Sequence, residues 1–194
     1  MRYSRWGREI GEPASWVLGL AAITFALARP RNLLNPDFYK SPLMASIIIA
    51  FVAHELAHRQ VSRAYGMRSE FVAYVPGLLL TLVSGFLPVV ILAPGYVRTY
   101  VWGVGPKYRR AMLASVASGP ATNIAIAIAS APLAYITRGP WLHGLMESLV
   151  WVNAWIAFFN LLPFPPLDGS KIVQLDRRLW IALFALSLVL LVIA

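Results

Sequence analysis

The sequence contains no cysteine. Disulfides are therefore excluded, and thiolate zinc sites with them, so any metal must be held by His, Asp or Glu. Charge is also scarce. Only 13% of the 194 residues are charged, about half the share usual in soluble domains. Acidic residues are the rarest, eight against 17 Lys+Arg, for a net charge of +9. What fills the space is apolar: 59% hydrophobic residues and a mean hydropathy of +0.66. A water-soluble globule of this length could not keep so much apolar surface inside. The composition points to a single membrane-embedded domain over residues 1–194, with no length left for a second.

In a soluble protein, a pI near 10.4 would point to nucleic acid. Here the basic residues lie in short clusters between apolar runs, the pattern of positive-inside topology. No stretch alternates Lys/Arg with aromatics as a strand-binding groove would. The expected partner is the lipid bilayer, not nucleic acid.

Apolar runs occur at about Ser15–Ala28, Leu43–Arg63, Gly77–Ala93, Ala111–Ile136, Leu145–Leu162 and Leu179–Ala194. The first ends Ala26-Leu27-Ala28, which resembles a signal-peptidase site; whether retained or cleaved, it leaves the next segment starting outside. Gly77–Ala93 is broken by Gly85, Pro88 and Pro94-Gly95, and lies between two strand-like stretches, Glu70–Val75 and Tyr96–Trp102. If this segment dips into the membrane and returns, thirteen of the 17 basic residues fall on the cytoplasmic side. If it crosses, most fall outside, so the positive-inside rule favours the return. The expected fold is an all-α polytopic membrane protein of five or six transmembrane helices. A reentrant, partly β segment (about 70–102) separates the second helix from the next core helix. The core covers about 43–170, with flanking helices at about 15–28 and 179–194.

His54-Glu55-Leu56-Ala57-His58 is an H-E-x-x-H sequence. On a helix, positions i and i+4 share a face, so both imidazoles can bind one tetrahedral Zn²⁺ while Glu55 serves as general base. Ionisable groups inside a membrane span are costly, which argues against a merely structural histidine pair. A third ligand is needed. Glu9 and Glu12 precede the first span, Asp37 and Glu147 fall on the outer side, and Glu70 and Asp176 sit in charged loops. Asp168 remains. It follows Asn160-Leu161-Leu162-Pro163-Phe164-Pro165-Pro166-Leu167, where the prolines prevent a regular helix and free backbone carbonyls. Asp168 and His58 share a side of the membrane only if Gly77–Ala93 returns, so charge and coordination agree. Counting from His58 to Arg63 places the metal roughly 8 Å inside the cytoplasmic end of its helix. A third signal is Gly119 and Asn123, at i and i+4, where a small residue permits close helix approach one turn from an amide. Interhelical bonding and a role at the site are both open for Asn123.

In this order and spacing, the three pieces resemble the site-2 protease family of intramembrane zinc metalloproteases, peptidase family M50. The matches are His54–His58, Gly119–Asn123, and Asn160 to Leu167-Asp168-Gly169. The resemblance implies one zinc per chain held by His54, His58 and Asp168, with Glu55 as general base. It implies that Asn160, and similarly Asn123, stabilises the oxyanion or holds substrate. The family's reentrant β-hairpin maps onto Glu70–Trp102. With the alternation of the sequence, it gives a substrate-pairing edge strand at Phe71, Val72, Ala73, Tyr74 and Val75. The implied activity is hydrolysis of peptide bonds within or near the transmembrane helix of single-span membrane-protein substrates, in regulated intramembrane proteolysis. The membrane expected is a prokaryotic plasma membrane, with the active site towards the cytoplasm. Alternative readings are a metal-ion transporter, which would need ligands along a path, and an inactive membrane-binding scaffold, which would not need Glu55. A different H-E-x-x-H protease would require a later helix-borne Glu, and Glu147 lies on the wrong side.

Overall fold

Proline stands in the first turn of five of the helices, where its missing N–H leaves no helical bond unmade. A computed structural model describes residues 10–100, 103 and 105–194. Arg2, Arg5, Arg8 and Glu9 lie outside the described residues, as do positions 101 and 102 of the expected second strand. The chain runs through α1 (Glu12–Leu33), a 3₁₀ turn (Pro36–Lys40), α2 (Pro42–Ala64), β1 (Arg68–Ala73), α3 (Val75–Ser84) and β2 (Gly95–Tyr100). It continues through α4 (Pro106–Ile136), α5 (Pro140–Asn160), α6 (Asp168–Leu175) and α7 (Arg177–Ile193).

Helices α2, α4 and α5 pack on one another as the central unit. Small residues at their contacts, Ala50, Ala117, Ala127, Ala154 and Ala157, are buried and let the backbones approach closely. Helix α1 and the sheet cover one flank, where Trp16, Phe51 and Phe71 meet edge to face or tilted. Helices α6 and α7 cover the other, around Ile172, Leu161 and Leu190. Among the described residues, α4 and α5 are long and apolar enough to cross a membrane. Helix α1 is interrupted at Arg29-Pro30, α2 carries the H-E-x-x-H side chains and two arginines, and α7 has 17 residues.

Strands β1 and β2 pair antiparallel, from Arg68↔Tyr100 to Ala73↔Gly95. Tyr74 N–H closes the base of the excursion by donating to the Pro94 carbonyl at 2.9 Å. The Gly77–Ala93 run therefore leaves and returns to the same place. Its outbound limb is the helix α3, where the sequence reading had only an apolar run. The far tip is fastened to α1. Arg29, in the left-handed region at φ 65, points its guanidinium at the carbonyls of Gly85, Leu87 and Pro88.

One boundary needs correction. The first strand is Arg68–Ala73, not Glu70–Val75. Tyr74 is the N-cap of α3 and Val75 its first residue, because Pro76 fixes a first-turn geometry just where the alternation would have continued.

Candidate metal centre

Successive turns of α2, the fourth and fifth, carry His54 and His58 on the face turned towards α4, and both are buried. Each ring is held from behind. His54 Nδ1 lies 2.5 Å from Asn123 Oδ1, and His58 Nδ1 lies 2.7 Å from the Ser115 carbonyl. Both partners are acceptors, since Asn123 spends its amide hydrogens on the Ala50 carbonyl and Asn153 Oδ1. The Nδ1 atoms must therefore carry the protons, which leaves each neutral ring's Nε2 with a bare lone pair.

Those two lone pairs face each other and a carboxylate. His58 Nε2 is 3.1 Å from His54 Nε2, and Asp168 Oδ2 is 3.0 Å from His58 Nε2 and 3.4 Å from His54 Nε2. Three acceptors with no proton between them repel unless a cation sits among them. The spacing fits one: tetrahedral zinc with bonds of about 2.0–2.1 Å keeps its ligands roughly 3.3 Å apart. Gly119 supplies the remaining room. A Cβ there would collide with Nε2 of both histidines, in the space an ion needs. Donor set, separation and cradle all suit Zn²⁺.

Asp168 is delivered by the break after α5. Past Asn160 the prolines hold the chain out of helix until Leu167, and α6 then begins at Asp168 itself. With a metal bound between it and the two Nε2 atoms, the Asp168 carboxylate would serve as an ionised ligand.

Beside the triad lies a cavity of about 20 Å³, lined by His54, Glu55, His58, Gly95, Tyr96, Val97, Asn160, Pro166, Leu167 and Asp168. It has room for one water-sized species. Glu55 is 7% exposed, and its Oε2 is buried with no hydrogen-bond partner among the described residues. A native interior rarely leaves a carboxylate oxygen in that state without a use for it.

The structure brings together five of the expected site residues: His54, His58, Asp168, Glu55 and Asn160. Asn123 is placed differently. It stands behind His54, fully buried and with its hydrogen bonds committed, so it faces neither the cavity nor a substrate. Its place is that of a positioning residue. The expected edge strand is also relocated. Phe71 is 1% exposed and its N–H donates to Glu12 Oε1, which also pairs with Arg59 at 2.8 Å. That side of β1 is covered by α1. The strand that lines the cavity is β2, through Gly95, Tyr96 and Val97.

Two participants escaped the sequence reading. Asn153, an amide flanked by apolar residues in the middle of α5, holds Asn123, and that setting was the available signal. Lys171, three residues after Asp168, lies with its Nζ 6.0 Å from the centre of the Tyr96 ring.

Comparison with known proteins agrees with this geometry. The profile of peptidase family M50 matches residues 136–178, which run through α5 and the Asp168 turn. Three relatives carry the name "putative zinc metalloprotease". MJ0611 of Methanocaldococcus jannaschii is 34% identical over 150 residues, covering 75% of this chain and 77% of that protein. The chain belongs to peptidase family M50. Two further relatives are Rip3 of Mycobacterium tuberculosis and YwhC of Bacillus subtilis. Rip3 is 30% identical over 66% of this chain and 29% of its own length. YwhC is 28% identical over 68% of this chain and 67% of its own. No solved structure matches. M50 membership makes the chain a zinc metalloprotease homologue, and its two long apolar helices fit membrane insertion.

Proposed function

We propose that this M50 chain is an intramembrane endopeptidase. It cuts peptide bonds within or near the transmembrane helix of single-span membrane proteins, as a step in regulated intramembrane proteolysis. Five helices, α1, α2, α4, α5 and α7, cross the plasma membrane, and the metal site opens towards the cytoplasm. The observation that carries the reading is Glu55 Oε2, an unpartnered buried carboxylate oxygen in the wall of the cavity beside His54, His58 and Asp168.

Zinc held by His54, His58 and Asp168 supplies a Lewis acid for a peptide carbonyl and the means to ionise water near neutral pH. The rest falls to the chain. Glu55 takes a proton from the attacking water and passes it to the amide nitrogen as that bond breaks. Asn160 donates one amide hydrogen to the Ile156 carbonyl at 3.0 Å, and its second is left to steady the substrate carbonyl oxygen. Asn123 and the Ser115 carbonyl keep both histidines in the one useful tautomer.

A helical substrate hides its carbonyls, so it must be drawn out into a strand before cleavage. Strand β2 suits that task better than Phe71–Val75. Because Phe71 N–H points away from β2, its register partner Val97 points its own N–H and C=O away from β1. Addition of a substrate strand along that edge would compensate the lost helical bonds.

Cleavage of a single-span reporter in proteoliposomes tests the reading, with wild type set against Glu55→Gln. Wild type should cut and the variant should lose at least about a thousandfold in rate while keeping one zinc per chain. Equal activity of the two would overturn the assignment.

A further inference from the structure

Next to the metal cavity lies a larger one, of about 440 Å³, between β2 and the helices α4 and α6. Tyr96 and Val97 belong to the walls of both, so the second is a continuation of the first along the β2 edge. Its walls hold Met112, Val116 and Leu175, apolar as a cleft for a membrane segment must be, but also Lys171 and Arg98. No acidic residue lines it. Arg98 is answered from outside the cleft by Glu70, at 3.7 Å. Among the described residues Lys171 makes no hydrogen bond and no ion pair at contact distance; its Nζ lies 6.0 Å from the centre of the Tyr96 ring, and its charge also reaches Glu55 and His58 in the metal site. A half-buried ammonium with no ion pair at contact distance can take an anion that enters the cleft. Lys171 stands one helical turn beyond Asp168, so whatever it holds is fixed in register with the reacting carbonyl.

We propose that Lys171 and Tyr96 form a subsite for an acidic side chain of the substrate, a short and constant distance along the strand from the bond that is cut. This rests on the protease reading above and specifies the substrate class: transmembrane segments with an Asp or Glu close to the cytoplasmic end, on the same side as the metal. Lys171 is the specificity-determining residue. The Tyr96 ring keeps the ammonium extended over β2, where an added strand would lie. Lys171 attracts and the apolar walls reject, so a lysine at the same substrate position is disfavoured by charge repulsion and burial together.

The test is a reporter series in which Asp, Ala and Lys are moved one position at a time through the residues flanking the scissile bond. It is read as kcat/KM in proteoliposomes. Wild type should show one position where Asp exceeds Lys by roughly tenfold or more. Lys171→Glu should invert that ratio at the same position, Lys171→Gln should flatten it and Lys171→Arg should keep it. The ratio between substrates is independent of how much total activity each variant retains. Should Lys171→Glu fail to load zinc, the Gln and Arg variants and the wild-type series still decide. Wild-type cleavage with no dependence on substrate charge at any position would overturn the subsite and leave the protease reading standing. Absence of cleavage of every reporter would overturn both. Running the series in zwitterionic and in anionic vesicles separates a lipid phosphate from a substrate carboxylate. A preference that follows the lipid and not the substrate overturns the proposal.

Discussion

Two residues without ionisable side chains control the metal centre as much as its ligands do. Asn123 accepts from His54 and donates to Ala50 and Asn153, all in the dry interior. Replacing it by Ala strips the acceptor that holds the ring in place, and metal affinity should fall about 10- to 100-fold. Competition with a chelator measures this, and unchanged affinity would remove Asn123 from the site. Gly119→Ala acts differently, since the new methyl falls on the Nε2 atoms themselves. That variant should fold and retain less than about a tenth of the zinc. His54, Glu55 and His58 were legible because their spacing is itself the chemistry. Asp168 was legible because few acids exist and only one follows a proline-broken span. The role of Asn123 was not, because a sequence gives the neighbours along a helix and not which atom of a facing helix an amide will meet.

Among the elements, the hairpin shows best where reading by pattern stops. Its return was expected from the distribution of lysine and arginine, and the Tyr74 to Pro94 hydrogen bond that closes its base agrees with that expectation. Its details depended on tertiary partners. Alternation near residue 70 marked a strand correctly but not which edge was free, and that was decided by Glu12, a residue about sixty positions away on α1. The corrected edge gives a sharp contrast between neighbouring substitutions. Val97→Pro removes an N–H that faces away from β1, and edge positions tolerate proline. It should keep the hairpin and zinc while reducing cleavage of helical substrates by about tenfold or more. Arg98→Pro removes a donor to β1 and should disturb the sheet itself. Amide exchange over residues 68–73 distinguishes the two, and full activity of Val97→Pro would exclude strand addition at this edge.

For the whole molecule, the distribution of ligands among helices matters more than their number. Helix α6 packs chiefly on α4 and α7, whereas the two histidines belong to α2. The link from Asp168 to that helix passes through the metal site, where its carboxylate meets the Nε2 atoms of His54 and His58. Removal of zinc should therefore release α6 before anything else. Amide exchange at 168–175 should rise strongly in chelator, with α4 and α5 little changed and full protection restored by added zinc. Uniform behaviour of all helices would contradict this. Lys171 is carried on the same short helix and Tyr96 is not, so release of α6 would also part the two halves of the proposed acidic subsite. On that expectation, loss of the metal would cost both the chemistry and the grip on substrate charge, and the empty form would not sequester substrate from the loaded one.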